Sequence, residues 1–441
     1  MRRILLPIYR CTIFSFLVLL SQAKADIAVI AGHGEIPGPG SNQPTYAVGN
    51  SFPIGQDFAS AIAMPTDQQV FLSGLAVDQS NGTTLYIGNT NLTNFPVVYR
   101  GSVVSSSVEG ISVPAVEGDL NGVAFDSTGT AIIVGGGLGL QPLGYKLYPG
   151  ASAVQSFSFS GFSAGTFNCV AVGPDDRVVI GGNDDNMHPV IYVLQAGSMQ
   201  AIPVTVPNPS INCSLHTVAI TSNGTAILGG IDNTNNQALI YTIASGSFSA
   251  NLVSIPDSNN GGEIFDIAVG PDGSAILVGS TTTAPLIYRW VPGSFSVTLI
   301  SSSSTFGSFY GVAIGTDNVA ILGGIGTDTF SPLINRIAPG ASNATPIPTP
   351  SVLGGVEGVS IGADNIAVLV GATYESMPLV YTLSTTASSV SSISVPMTYP
   401  LLNYFGAVVY SPKGLYDINR LKACYYLQLE ETKNALRQAG M

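Results

Sequence analysis

Short runs of apolar residues, separated by turn-forming residues, recur along almost the whole chain. In one unit EIFDIAV (263–269) is followed by GPDG and then by SAILVGS (274–280). Pro, Asp, Asn and Gly supply the fixed or positive φ angles that a tight hairpin needs. A Gly-rich loop, a third apolar run such as PLIYRW and an alternating run such as FSVTLIS complete the unit. The pattern therefore predicts four antiparallel strands per unit, and an all-β protein.

The unit repeats along the chain. An apolar-Ala-apolar motif, or a close variant of it, marks the first strand of each copy, and neighbouring copies are 45 to 49 residues apart. The anchor residues are Ala76, Ala124, Ala171, Ala219, Ala268, Ala313, Ser360 and Val408. A period of this length is typical of propellers and solenoids, and four antiparallel strands per period make one propeller blade. Continuous apolar character in the first two strands fits blades that are covered on both faces, so the pattern predicts a β-propeller.

The two ends of the repeat region indicate the number of blades. Seven complete units run from Leu72 to Pro396, and an eighth start, YFGAVVYSPKG, has no complete unit after it. IAVIAG, PTYAVGN and ASAIAMP near the other end resemble the missing second, third and fourth strands. A blade built from both termini leaves no open edge. We therefore expect eight four-stranded blades, closed by about 27–66 together with about 402–411. Seven blades is the alternative, because GLYDI can compete as a second strand.

The repeat resembles two known groups of propeller sequences. The ILGG, IIVGG and VIGG endings of the second strand are similar to the double glycine of kelch repeats, and GPDG-type starts resemble NHL-like bacterial repeats. The resemblance implies a propeller and carries over no catalytic residues. Propellers include enzymes, binding modules and scaffolds, so the fold does not choose among these functions.

The two ends of the chain differ from the repeats. Residues 1–25 combine Arg2, Arg3 and Arg10 with a short apolar run and the cleavage motif Ala23-Lys24-Ala25, which predicts a signal peptide and export. Residues 26–411 form the predicted propeller, without a later segment apolar enough to span a membrane. Residues 412–441 have a helical spacing of apolar positions, which predicts a short C-terminal helix packed under the closing blade or a linker.

Composition narrows the range of partners. Only 9% of residues are charged, against about 25% in an ordinary soluble protein. Between residues 27 and 411 there are 22 acidic and five basic residues, so the net charge, 5 − 22, is −17. Such a surface repels nucleic acid and anionic lipid, and we expect neither as a partner. Solubility and turn-forming Asp are the simpler explanation of the acidity.

One position varies while its neighbours repeat. Three residues before each anchor, where we expect the inner strand to start, stand Ser73, Asn121, Asn168, His216, Phe265, Tyr310, Glu357 and Phe405. Loops expected at the same rim carry Asp184, Asp185 and Asp232. A variable polar and aromatic ring beside polar loops suits a binding face, with Asn121, Asn168, His216, Tyr310, Glu357 and the three loop aspartates as candidate residues. Ordinary turn chemistry is the alternative. The hairpin aspartates at the opposite rim recur with the fold and are expected to be structural.

Metal, cofactor and disulfide chemistry have weaker signals. The three histidines are scattered, and no metal site, cofactor or nucleophile motif is expected. Cys169 and Cys213 lie near the inner strands of adjacent blades, and export permits a disulfide between them. Two buried free thiols are the alternative.

Three functions remain open. The first is a secreted or cell-surface module that binds a protein or glycan or acts as a scaffold. The second is a bacterial, autotransporter-like surface passenger. The third is an extracytoplasmic enzyme such as a lyase or glycosidase, which would need carboxylates or histidines converging on one rim. His216 and Glu357 are its only candidates at equivalent positions, three blades apart.

Overall fold

The computed structural model describes residues 26–35, 45–65, 69–90, 93–256, 261–281, 284–304, 306–373, 375, 377–396 and 401–411. Throughout this part of the chain the regular structure is β-strand. The first three strands are β1 (Ile27–Glu35), β2 (Thr45–Pro53) and β3 (Ser60–Ile62). Seven sheets follow in chain order, and each meanders outward from its first strand through antiparallel pairs. We number them as blades 1 to 7.

Blade 1 contains β4 (Val70–Val77), β5 (Thr83–Thr90), β6 (Pro96–Ser102) and β7 (Glu109–Ile111). Blade 2 contains β8 (Gly118–Phe125), β9 (Ala131–Gly137), β10 (Pro142–Leu147) and β11 (Gln155–Ser156). After the short β12 (Ser158–Phe159), blade 3 contains β13 (Gly165–Val172), β14 (Val178–Asp184), β15 (Pro189–Leu194) and β16 (Gln200–Pro203). Blade 4 contains β17 (Cys213–Ile220), β18 (Ala226–Asp232), β19 (Gln237–Ile243) and β20 (Ala250–Leu252).

Blade 5 contains β21 (Glu263–Val269), β22 (Ala275–Ser280), β23 (Pro285–Trp290) and β24 (Thr298–Leu299). After the short β25 (Ser301–Ser302), blade 6 contains β26 (Ser308–Ile314), β27 (Ala320–Ile325), β28 (Pro332–Ile337) and β29 (Asn343–Pro346). Blade 7 contains β30 (Gly354–Ile361), β31 (Ile366–Thr373), β32 (Pro378–Ser384) and β33 (Ser391–Ser392). The last described strand is β34 (Leu401–Tyr410).

The eighth blade closes the ring with strands from both ends of the propeller. Its order is β3-β2-β1-β34, so the inner strand comes from the far end of the repeat region and the other three come from its start. Ile27 pairs with Tyr410 at one end of the β1–β34 ladder, and Glu35 pairs with Leu401 at the other. The prediction of eight blades and of this closing blade is confirmed, and the alternative of seven blades is wrong.

The hydrophobic core lies between the blades. Eight apolar clusters are found among the described residues, and each spans two neighbouring blades. The second strand of each blade is covered on both faces, as Leu85, Ile227 and Leu369 illustrate with no exposed surface. This explains why the second strands are continuously apolar rather than alternating.

A belt of parallel bridges joins the outer edges of the blades. After its outermost strand, the chain crosses to the next blade and pairs in parallel with the segment at that blade's outer edge, as Ser112 does with Ala153. In two places the crossing segment is the short strand β12 or β25. Seven of the eight junctions carry such a bridge. The crossing segments use backbone groups that an exposed edge strand would leave unpaired.

Inner strands turn into second strands at one end of the propeller, which we call the bottom face. Turns and arginines hold the blades together there. Asp272 Oδ1 accepts a hydrogen bond from Ser274 N at 2.9 Å, inside a turn whose Gly273 has φ 79°. The expected structural role of the hairpin aspartates agrees with such bonds. Arg336 of blade 6 donates to the carbonyls of Thr385 and Ala387 of blade 7.

Two predicted segments, 1–25 and 412–441, lie outside the described residues. Within the part of the chain that the structure describes, no helix has the length and apolar character needed to cross a membrane.

Candidate functional site

Each inner strand contains a β-bulge at the variable position of the repeat. In blade 3, Phe167 pairs with Gly182 and Cys169 pairs with Gly181, so Asn168 between them has no partner across the ladder. The same register shift occurs in every blade, at one inner-strand residue that lies between two consecutive cross-strand pairs. These residues, here named the bulge ring, are Ser73, Asn121, Asn168, His216, Phe265, Tyr310, Glu357 and Phe405. The sequence placed this position at the start of the inner strand; it lies in the middle of the strand instead.

A glycine on the second strand accompanies the bulge. Gly230, which pairs with Leu215, faces the carbonyl of Ser214 so closely that an added Cβ would lie 1.9 Å from that oxygen. Equivalent glycines in six further blades meet the same inner-strand carbonyl at 1.8–2.0 Å. They are Gly88, Gly135, Gly182, Gly279, Gly324 and Gly371. The glycine at the end of the second strand therefore exists because the bulge brings the two backbones together.

Three members of the bulge ring link neighbouring blades through hydrogen bonds. Asn121 Nδ2 donates to Phe167 O of the next blade at 3.0 Å. Asn168 Nδ2 donates to Leu215 O at 3.0 Å. Ser73 Oγ makes the corresponding bond to Leu120 O. In each case the acceptor is the residue just before the bulge of the following blade. Blades 1 to 4 are thus joined around the channel by a ladder of polar side chains.

A cavity of about 310 Å³ lies in the channel beside this ladder. Ser73, Asn121, Asn168 and His216 line it, together with the next residues of the same strands and Ala407 of the closing blade. The structure therefore brings together three of the predicted candidates, Asn121, Asn168 and His216. Glu357 and Asp266 are not among the lining residues.

The other side of the channel carries acids and aromatic rings. His216 Nε2 lies 2.7 Å from Glu263 Oε1, and both side chains are about one-third exposed, 33% and 29%. Phe265 and Tyr310, from adjacent blades, have ring centroids 5.4 Å apart with planes inclined at 47°. Tyr310 is 38% exposed, which is high for an aromatic side chain on an inner strand. Glu357 occupies the bulge of the next blade and is partly buried.

Asp266 is the residue after the bulge in blade 5. Its Oδ2 accepts a hydrogen bond from Val312 N of blade 6 at 2.9 Å, and its Oδ1 accepts from Ile267 N at 2.8 Å. Burial raises the pKa of Asp266 to about 6, while these bonds and one from the Thr217 side chain act in the opposite direction. Five other blades have Gly at this position: Gly74, Gly122, Gly311, Gly358 and Gly406. A carboxylate held here is therefore a specific feature of blade 5.

The three predicted loop aspartates lie at the other end of the propeller, which we call the top face, where inner strands begin and second strands end. Asp184 accepts hydrogen bonds from the backbone of Asn186 and His188 and lies 3.1 Å from His188 Nδ1. Asp232 is buried and holds its own loop through the Thr234 and Asn235 amides. Both carboxylates are engaged in turn chemistry. Asp185 is exposed and contacts Asn186 Nδ2 at 2.9 Å.

A second feature of the top face was not predicted. In five blades, one residue of the loop between second and third strands has a left-handed backbone, and its carbonyl accepts from an amide at the start of the next inner strand. These residues are Asn94, Leu140, Met187, Asn236 and Phe330, with φ between 50° and 62°. Asn suits this conformation, but for Leu, Met and Phe it costs roughly 1–2 kcal/mol. Leu140, Met187 and Phe330 are nevertheless 43–50% exposed. No sequence signal marks them, because bulky apolar residues rarely adopt this conformation.

Cys169 and Cys213, the candidate disulfide pair, are free and buried in the structure, as in the alternative of two buried thiols. Cys169 lies just after the bulge in the middle of β13, whereas Cys213 is the first residue of β17. Their sulfur atoms therefore meet different parts of β14: Cys169 Sγ lies 3.6 Å from Gly181 O, and Cys213 Sγ lies 3.5 Å from Asn183 Nδ2. Burial raises the pKa of each thiol to about 12.

Among the described residues, no group of three or more His, Cys, Asp or Glu side chains is arranged to hold a metal ion.

Comparison with known proteins supports the fold alone. No family model matches the chain, and no curated protein matches it. Among solved structures it is similar to the Dos1 propeller, with a TM-score of 0.54 and 9% identity over 84% of this chain and 95% of that one. It is also similar to puromycin hydrolase, with a TM-score of 0.53 and 13% identity over 75% of this chain and 54% of that one. A prolyl endopeptidase matches with a TM-score of 0.53 and 12% identity, over 75% of this chain and 51% of its own. This chain thus spans about half the length of puromycin hydrolase and of the prolyl endopeptidase, and what it shares with all three neighbours is the β-propeller.

Proposed function

We propose that this protein is an exported β-propeller that binds a protein or glycan ligand through its top face and central channel. The observation that carries the proposal is the bulge ring. Its eight positions share one backbone geometry but hold Ser, Asn, His, Phe, Tyr and Glu, and four of them line a 310 Å³ cavity. Concave sites with a few fixed polar groups are typical of ligand binding.

Binding fits the channel better than catalysis does. General acid–base chemistry needs titratable groups within hydrogen-bond reach of one reacting atom. His216 lines the cavity, but its Nε2 already lies 2.7 Å from Glu263 Oε1, and Glu357 is not among the lining residues. The amides of Asn121 and Asn168 already donate to neighbouring blades. These amides are fixed by inter-blade hydrogen bonds and line the cavity, so they would meet a ligand without reorganising.

Export rests on the first 25 residues and agrees with contacts at the start of the propeller. Asp26 O accepts from Ile54 N at 2.7 Å, and Asp26 Oδ2 accepts from Ser411 Oγ at 2.7 Å. Cleavage after Ala25 would therefore leave the closing contacts of the propeller intact. N-terminal sequencing of the protein recovered from the exported fraction is expected to start at Asp26. Recovery of an uncleaved chain in the cytoplasm alone would contradict export.

The binding proposal is tested with the purified full chain on glycan and peptide arrays. His216→Trp fills the cavity with a larger ring, and Phe295→Trp, at a 68% exposed bottom-face position, is the matched control. We expect at least one array ligand to bind the unmodified protein and the Phe295→Trp variant but to lose most of its affinity for the His216→Trp variant. Equal binding by all three proteins would place the ligand elsewhere and refute the proposal.

A further inference from the structure

Charge is sorted between the two faces of the propeller. All five basic residues of the blades lie toward the bottom face, where second strands begin. Four of them pair with a residue near the start of a second strand. The fifth, Arg177, directly precedes the second strand β14. The five are Arg100, Lys146, Arg177, Arg289 and Arg336. No Lys or Arg among the described residues lies in the top half, where nine acidic residues stand. These are Glu35, Glu117, Asp119, Asp184, Asp185, Asp232, Glu263, Asp328 and Glu375.

Two of these arginines also form hydrogen bonds that join neighbouring blades. Arg177 donates to the carbonyls of Ala244 and Ser247 of the next blade. Arg100 donates to Ala151 O at 2.7 Å and pairs with Glu109. The negative potential of the top face is thus uncompensated by mobile cationic side chains on that face, and it attracts a positively charged partner.

Apolar side chains stand on the same face. Leu140, Met187 and Phe330 keep a strained backbone and an exposed side chain at a position where Asn94 and Asn236 make the same inter-blade bond. Leu138, Leu353 and Met377 add exposed apolar surface to the loops and strand starts beside them. Asn makes the same bond at lower backbone cost, and strained residues of this kind cluster at functional surfaces. A bare cation or a glycan gains little binding energy from contact with such apolar side chains. A peptide with apolar residues of its own gains more, because both surfaces are removed from water.

The channel below supplies a place for a cationic group. The Tyr310 ring centroid is 5.4 Å from that of Phe265 on blade 5, and the same inner strand of blade 5 carries the carboxylates of Glu263 and Asp266. Aromatic faces and carboxylates together favour Lys and Arg side chains. Asp266 keeps its carboxylate where five blades have Gly, at the cost of burying a charge.

We propose that the top face docks an extended, basic segment of a partner protein. The apolar residues of that segment contact Leu140, Met187 and Phe330, and one Lys or Arg side chain enters the channel beside Tyr310, Glu263 and Asp266. This inference rests on the proposed binding function and narrows its ligand from protein or glycan to a cationic peptide.

The test measures fluorescence anisotropy of labelled 12-residue peptides with the full chain. One peptide alternates Lys with Leu, a second replaces Lys by Glu, and a third replaces Leu by Ser. We expect the Lys-Leu peptide to bind most tightly, the Glu peptide not to bind, and affinity to fall as salt is raised. Equal affinity for the Lys and Glu peptides would overturn the inference.

Two sets of variants locate the peptide. In the first set, Asn replaces Leu140, Met187 and Phe330. Asn94 and Asn236 show that Asn is compatible with the left-handed loop conformation, so the melting temperature should not fall. The affinity for the Lys-Leu peptide is expected to fall at least tenfold. In the second set, Tyr310→Ala and Glu263→Gln are each expected to lower the affinity for the Lys-Leu peptide about threefold to tenfold. Phe295→Asn and Asp57→Asn, at exposed bottom-face positions, are the matched controls and should have no effect.

The outcomes separate this inference from the function it rests on. If only the bottom-face variants lower the affinity for the Lys-Leu peptide, the cationic-peptide inference is wrong, even if a ligand binds on the glycan and peptide arrays. If a glycan binds in a manner that His216→Trp abolishes while no basic peptide binds, the proposed function stands and the cationic partner is refuted. If neither a peptide nor an array ligand depends on the channel, both are refuted.

Discussion

Replacing Gly230 by Ala should destabilise the propeller through a single clash between two backbones. Gly230 is buried at the end of β18 and pairs with Leu215, the residue before the bulge of blade 4. The new Cβ would stand 1.9 Å from Ser214 O. Carbon and carbonyl oxygen normally approach to about 3.3 Å, so the two strands must separate by more than about 1 Å.

The expected cost follows from two contributions. Forcing an extra carbon into a packed interior costs roughly 1–3 kcal/mol, and weakening one or two ladder hydrogen bonds adds about 1 kcal/mol each. We therefore expect a loss of about 3 kcal/mol in the free energy of unfolding. For the 386 residues of 26–411, an unfolding entropy of about 2.1 cal/mol/K per residue gives about 0.8 kcal/mol/K, and hence a fall in Tm of roughly 4 °C.

Differential scanning calorimetry of the full chain measures this change. Gly110→Ala is the matched control, because Gly110 also lies within a strand but an added Cβ meets no atom within 4 Å. That variant should melt within about 1 °C of the unmodified protein. If Gly230→Ala also melts within 1 °C of it, the explanation of the repeated glycine by the bulge is wrong.

Three further predictions follow from the same contacts. Arg177→Met removes two inter-blade hydrogen bonds from a charged donor and should lower the Tm by about 3–5 °C in calorimetry; Lys at this position should restore only part of the loss. Because the folded pKa of Asp266 is raised to about 6, its contribution makes the protein less stable as pH rises from about 4 to 6. The Tm of Asp266→Asn relative to the unmodified protein should therefore rise by roughly 1–3 °C between pH 4 and pH 7.5. This rise adds to a pH-independent loss, because the amide nitrogen cannot accept one of the two backbone hydrogen bonds, and a difference independent of pH would contradict it. Cys169 and Cys213 should resist alkylation in the folded protein and both be alkylated after denaturation without reductant, as peptide mapping would show; a disulfide would leave both unlabelled.

The architecture could be predicted because each of its signals is local and repeated. A hairpin such as Gly270–Gly273 needs the same turn residues in every blade, and each second strand needs apolar residues on both faces. The closing blade could be predicted as well, because the unit that is missing at one end of the repeat is present at the other. These are properties of short segments, and the sequence shows them directly.

The position of the site within the blade was harder to predict, since a bulge adds one residue to a strand without changing its composition. Asn168 and its equivalents were therefore placed at the start of the inner strand. The signal that was missed stands on the partner strand, where Gly182 has to admit a carbonyl of the bulged strand. Cys169 comes directly after the bulge of its strand, whereas Cys213 stands three residues before the bulge of the next inner strand, so the two thiols lie at different heights. The loops at Leu140, Met187 and Phe330 show no signal, because a bond to the next blade overrides their local preference.

The bulge also explains how eight similar blades can carry one specific surface. A residue that is unpaired across the ladder can change without disturbing a cross-strand pair, so the bulge ring can vary from Ser73 to Tyr310 while the flanking positions repeat. The variation has a limit where the side chain links blades, as Asn121 and Asn168 do, and these positions keep an amide. Blades 5 to 7 have Phe265, Tyr310 and Glu357 at the bulge, with Asp266 beside it, and chemistry that differs most from the repeat is concentrated there. A ligand that distinguishes one side of the channel from the other should therefore depend more on blades 5 and 6 than on the amide ladder of blades 1 to 3.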